Sequence, residues 1–110
     1  MIELLILNHL KMKLDAPVYL EEPERAPADF VLFEKTGSGT ENRIHSATFA
    51  FQSYAGSLYG AAALNEAVKL AVESLAELPD VGRVKLNSDY NFMDVATKRH
   101  RYQAVYDITY

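Results

Sequence analysis

Two-residue alternation dominates this chain and commits most of it to a sheet. Residues 44–54 set Ala47, Phe49 and Phe51 on one side and Ser46, Thr48 and Gln52 on the other. In residues 83–93, Val84, Leu86, Tyr90 and Phe92 share one face, while Arg83, Lys85, Asn87, Asp89 and Asn91 share the other. The last run places Tyr102, Ala104, Tyr106, Ile108 and Tyr110 against Arg101, Gln103, Asp107 and Thr109. Successive side chains of a strand point to opposite faces, so each run describes a strand with one apolar side. A sheet built this way needs a covering layer.

Residues 57–78 supply one. Ser57 suits a helix N-cap. Ala61, Leu64, Val68, Ala71, Leu75 and Leu78 then recur at three- and four-residue steps as one apolar stripe. Glu66, Lys69, Glu73 and Glu77 lie off it, with Lys69 and Glu73 spaced for a pair along the helix. Pro79 closes the helix. Residues 2–14 fit two descriptions. Leu7, Leu10 and Leu14, with Ile6 on the same side, match a helix whose end carries Lys11 and Lys13, where cations suit the dipole. The unbroken apolar run Ile2 to Leu7 matches a buried strand equally well. Pro17 ends either one.

Val18-Tyr19-Leu20 reads as a short strand, and Glu21 to Pro27, with two prolines among charges, as an exposed connection. Phe30 to Lys35 and Ile44 to Tyr54 flank Thr36-Gly37-Ser38-Gly39-Thr40-Glu41-Asn42. That linker is too long for a two-residue hairpin, so a mobile tip is expected. The order is α-β-β-β-α-β-β. It describes a single α+β domain over residues 1–110, with a mostly antiparallel or mixed sheet and two helices packed on one face.

A chain of 110 residues supports one core and leaves little room for a deep cleft. Its net charge of −4 gives no overall nucleic-acid footprint. The absence of cysteine removes disulfides, thiolate catalysis and cysteine zinc sites. Glu3 stands where an export signal carries basic residues, and Asn8, His9 and Lys11 cut the apolar run short. Neither an export signal nor a membrane span is expected.

Candidate chemistry is thin. A phosphate cradle needs glycines that open a helix, whereas Gly37 and Gly39 lead into a strand. Ser38 lacks the glycine spacing and strand-to-helix turn of a nucleophile elbow. His9, His45 and His100 are too scattered for a metal site. Glu21, Glu22, Asp89 and Asp94 read as solvated charges, with no apolar pocket to split their pKa values. Lys98-Arg99-His100-Arg101 is the one basic cluster, suited to nucleic acid, to an acidic partner surface or to a solvated strand end. Tyr54, Tyr59, Tyr90, Tyr102, Tyr106 and Tyr110 are core residues or interface anchors, and spacing does not separate the two.

Three stretches carry a family resemblance: Glu34 to Gly39, Ile44 to Ala55, and Leu64 to Lys69. Leu86 to Phe92 and Arg101 to Asp107 extend it over most of the chain. Together they resemble small tail-component proteins of tailed phages and prophages of Gram-positive bacteria. In element order the chain is similar to lambda-type tail terminators, which cap the tail tube as a hexameric ring and dock to the head connector. The resemblance implies a structural protein of the virion tail or neck, made in the host cytoplasm, with no enzyme activity and no cofactor. Its implied partners are copies of itself, the tail tube protein and head–tail connector proteins. No membrane is involved, and DNA enters only as the genome passing through the lumen. No contact residue is carried over from the resemblance; the glycine content of the linker between two strong strands, and the basic cluster, place the expected assembly contacts at Gly37, Ser38, Gly39, Thr40, Glu41 and Asn42, and at Arg99 and Arg101. Other functions remain open on the residues themselves. They are another neck or minor capsid component, a small-ligand-binding α+β domain, an enzyme whose pocket forms between subunits, and a nucleic-acid-binding accessory protein.

Overall fold

The computed structural model describes residues 1–110. Helix α1 spans Ile2–Lys13, strand β1 Val18–Tyr19, β2 Phe30–Glu41 and β3 Ile44–Ala55. Helix α2 spans Leu58–Glu73 and continues as a 3-10 turn over Ser74–Glu77, followed by β4 Arg83–Asn91 and β5 His100–Thr109. The five strands form one mixed sheet in the order β1-β2-β3-β5-β4, parallel only at β1–β2. Both helices lie on one face, as the α+β pattern implies.

The ambiguous N-terminal segment is a helix. Glu3 in its first turn and Lys11 and Lys13 in its last complement the dipole. Burial of Ile6 and Leu10 against the sheet and α2 decides the matter. Each contributes roughly 1.5–3 kcal/mol, more than the propensity differences at stake. In α2 the Ser57 hydroxyl accepts from the Gly60 N–H at 3.0 Å, the expected cap. A side chain at Gly60 would sit 3.1 Å from the Cβ of Ala55, so glycine lets the helix start close to the end of β3. The buried stripe of α2 includes Asn65 and Val72 beside Ala61, Val68 and Ala71. Phe33, Phe49, Phe51, Tyr106 and Ile108 meet it from the sheet.

Two expectations are corrected. Residues 36–41 are paired strand and not an irregular loop. Strand β2 runs to Glu41 and pairs rung by rung with β3 as far as Glu41–Ile44, after a bulge at Thr36. A two-residue turn closes it, with Asn42 and Arg43 at φ 51° and 65°, as in a type I′ turn. Gly37 and Gly39 have ordinary negative φ, and a Cβ on either would meet nothing within 4 Å. The left-handed positions are therefore Asn42 and Arg43, and the glycines are plain strand residues.

The second correction concerns 83–93. Strand β4 is bulged at Asn87, between the rungs Leu86–Tyr106 and Ser88–Val105. One inserted residue reverses the alternation beyond it. Val84 and Leu86 keep the helix-covered face, and Asp89 joins them. Tyr90 and Phe92 turn to the open face instead of sharing the side of Val84.

Candidate functional site

Beneath α2 a polar cluster replaces the apolar seal. The Asn65 side-chain amide donates to Asp89 Oδ1 at 2.6 Å, and Lys69 Nζ to Asp89 Oδ2 at 2.6 Å. Lys69 also pairs with Glu66. These bonds from Asp89 and Glu66 hold the Lys69 ammonium above its usual pKa. The Asn87 bulge is what brings Asp89 under α2. Asp89 is thus a bound carboxylate and not a solvated one. The expected Lys69–Glu73 pairing does not form. Glu73 instead accepts from the hydroxyl of Tyr106 at 2.6 Å. Burial, and then this bond to a carboxylate, push the Tyr106 phenol far above its ordinary range. Tyr106 is a core anchor and no acid–base group near neutral pH. The Oγ of Ser53 and Oδ1 of Asn65 are buried without a partner in the chain.

The open face carries the other predicted residues. Arg99 and Arg101 are two apart on one strand direction, so both point away from the helices. The Arg99 guanidinium lies 4.6 Å from the Tyr54 ring centroid, and Tyr54 stacks on Phe30 at 4.4 Å. Glu22 clamps Arg99 with two bonds of 3.1 and 3.2 Å, and Asp94 adds an ion pair at 3.5 Å. The bonds to Glu22 raise the Arg99 pKa above its already high value. A hydrogen bond from Thr97 is the main cause holding the Asp94 carboxyl below the usual range. Arg101 sits 4.3 Å over the Phe92 ring, with its Nε donating to the Phe92 carbonyl. Arg101 also starts a chain of donors: to the Tyr54 hydroxyl, from Tyr54 to Gln52, from Gln52 to Gln103, and from Gln103 to Tyr90.

This ladder uses up most of the hydrogen-bonding capacity of the two arginines. They fasten the Glu22 segment and the β4–β5 turn to the sheet, and Lys98 and His100 flank them. Sequence reasoning missed Tyr54, Glu22 and Phe92 as their partners. The parity of Arg99, Arg101 and Gln103 was a usable signal for a shared face, whereas the bulge that turns Phe92 toward Arg101 left none.

The Gly37–Asn42 set lies elsewhere. It forms the outer half of the β2–β3 hairpin, exposed on both sides from Glu34 to Ser46. Strand β5 follows β3 only as far as Ser46–Thr109, so the tip extends past the sheet. The two predicted groups do not meet. The arm extends from the end of the sheet where β5 finishes, and the arginines lie at the end where β5 begins.

No protein-family model and no curated protein matches this chain. No helix is long and apolar enough to cross a membrane. A surface depression of about 430 Å³ lies along α1 between Leu4, Leu5, His9, Met12 and Leu78. It is shallow, and His9 on its wall is bonded through Nε2 to the Ser74 hydroxyl at 2.7 Å. Burial holds the His9 imidazole below its ordinary pKa.

Proposed function

We propose that this chain is a structural subunit of a phage or prophage tail or neck, of the tail-terminator or head–tail joining kind. It works by head-to-tail contact with copies of itself at the end of the tail tube, with no cofactor and no turnover. One observation carries the reading. The outer half of the β2–β3 hairpin is a fully paired ladder that contributes nothing to the core, so its order serves a contact beyond the monomer. The elongated shape agrees, with extents of 43 × 25 × 24 Å. The sequence resemblance supplies the partner class, and the virion is the corresponding location. A ring subunit needs two different self-contacts, and the sheet has two different edges.

The test is to shorten the arm without disturbing its turn. Removing Thr40, Glu41, Ile44 and His45 rejoins the rung Gly39–Ser46 to Asn42-Arg43. The shortened protein is expected to fold as the parent does by circular dichroism, yet to fail to form rings in negative-stain images or to cap isolated tail tubes. Rings and capped tubes at parental yield would remove the assembly role of the arm. A ligand that raises the melting temperature in proportion to its concentration would favour a small-molecule-binding domain instead.

A further inference from the structure

We infer that successive copies join by antiparallel pairing of β4 of one subunit with the outer half of β2 of the next, Arg83 lying opposite Glu41. This rests on the head-to-tail reading above and specifies its contact.

The sheet ends in two unequal free edges. On one side β1 covers β2 only at Val31 and Leu32. Of the twelve residues of β2, the nine from Phe33 to Glu41 therefore have no neighbour on that side. On the other side β4, nine residues long, closes the sheet and is exposed along most of its length. Each edge presents unpaired backbone donors and acceptors, which a second strand satisfies.

Direction comes first. β3 runs against β2, β5 against β3, and β4 against β5. β4 therefore runs opposite to β2. A second copy placed beside the first in the same orientation brings β4 antiparallel to the neighbouring β2, as a repeating head-to-tail contact requires.

Register comes next. With Arg83 opposite Glu41, the two nine-residue edges overlap from end to end, and Asn91 reaches Phe33. Both strands are bulged, β2 at Thr36 and β4 at Asn87, and in this register the two bulges fall on adjacent rungs, Thr36 against Ser88 and Asn87 against Gly37. Facing sense is then kept on both sides of them. Glu41, Gly39 and Glu34 meet Arg83, Lys85 and Tyr90 on the open face, and Lys35 meets Asp89 on the helix face. A slip of one residue puts every side chain against the wrong face.

Charge agrees with the register. On the open face, the β2 edge carries Glu34 and Glu41 and the β4 edge carries Arg83 and Lys85. None of the four has an ion-pair partner within the subunit, whereas Lys35 pairs with Glu3, and Asp89 with Lys69. A two-fold contact of β4 with β4 would instead leave Glu34 and Glu41 on the far edge without a basic partner. The bare strand glycines Gly37 and Gly39 leave room for a neighbouring backbone and for the long Lys85 side chain.

The chain has no cysteine, which makes cross-linking clean. A variant with Arg83→Cys and Glu41→Cys together is oxidised and run on a non-reducing gel, beside sedimentation of the parent protein at the same concentrations. The two sites are three strands apart within one subunit, roughly 14 Å, too far for an internal disulfide. A ladder of covalent multimers is expected, with each single-cysteine variant stopping at dimers. Glu41→Arg is expected to weaken assembly tenfold or more, and Arg83→Glu in the same chain to restore it. Assembly of the parent without a ladder, or a doubly substituted product that stops at dimers, overturns this pairing and leaves the head-to-tail reading standing. A parent that stays monomeric to millimolar concentration, with no ladder, overturns both.

Discussion

The two halves of the β2–β3 hairpin are one ladder in two environments. In the inner half, Phe33, Phe49 and Phe51 are buried in the core, and Phe30 stacks on Tyr54 on the opposite face. In the outer half, from Thr36 to Ser46, every residue is exposed, and backbone bonds, the turn and a few surface side-chain contacts such as Thr40–His45 hold the pair together. Burial specifies the inner half: a one-residue slip of β3 would expose Phe49 and Phe51. The outer half has no such safeguard, and its register depends on the turn. A segment kept regular without a core of its own is suited to pairing with something outside the subunit.

The sharpest way to break this contrast is to remove one side chain from each half. Phe51→Ala empties a site fully enclosed by Phe33, Phe49 and Tyr106. Truncation of a buried phenylalanine costs about 3–5 kcal/mol. A melting temperature lower by well over ten degrees is expected for a domain this size. Thr40→Ala in the outer half loses one exposed bond, to His45 at 3.1 Å, and should change stability by less than ~0.5 kcal/mol. Equal losses at the two sites would show that the arm shares the core's cooperativity.

The next contrast is between the two ends of the polar cluster. Tyr106→Phe removes a buried hydroxyl whose partner, Glu73, is free to turn to water. A loss of about 1.5–3 kcal/mol in urea unfolding is expected, the range for a hydrogen bond to a charged group. Asp89→Ala leaves the Asn65 amide without a partner and Lys69 with Glu66 alone, and should cost more than the tyrosine change. A smaller cost at Asp89 would mean that solvent already satisfies that cluster.

Much of this was legible in the sequence, and what was not has identifiable causes. The alternation of 44–54 and 101–110 and the stripe of α2 appear where the periods place them, because burial of one face enforces those periods. The faces of 83–93 were misjudged because a bulge inserts one residue, and no residue type marks Asn87 as that insertion. The hairpin tip was misjudged for a related reason. Glycine suggested flexibility at 37 and 39, while the positive φ values belong to Asn42 and Arg43. The ion pair that holds Arg99 escaped because Glu22 lies 77 residues from it in the chain. Of the predicted contact residues, the arm kept its exposure, while Arg99 and Arg101 became fasteners of the fold.

Acidity separates core from arm by a different route. His9 is buried between α1 and the turn after α2, bonded to Ser74, with Lys13 opposing its charge and Glu77 favouring it. Its folded pKa lies below the unfolded value of about 6.5. Between those two values the unfolded chain binds a proton that the folded chain does not. Stability from this residue is therefore complete above pH 6.5 and declines as pH falls through and below it. His9→Gln, which retains a donor toward Ser74, should flatten the slope of unfolding free energy between pH 7 and 5. An unchanged slope would assign the dependence to other groups.

The smallest expected effect probes the turn alone. Arg43 sits at φ 65° without the freedom of glycine, and Asn-Gly is the preferred pair for a two-residue hairpin with both central residues left-handed. Arg43→Gly removes the strain of that conformation, of order 1 kcal/mol. The gain is confined to the arm, because no core residue depends on it. Global unfolding should shift by less than ~0.5 kcal/mol, while amide exchange at Thr40, Ile44 and Ser46 slows severalfold. If global stability and exchange across the core strands rise together with the arm, the two halves form one cooperative unit. The contrast between a core-specified and a turn-specified hairpin would then be lost.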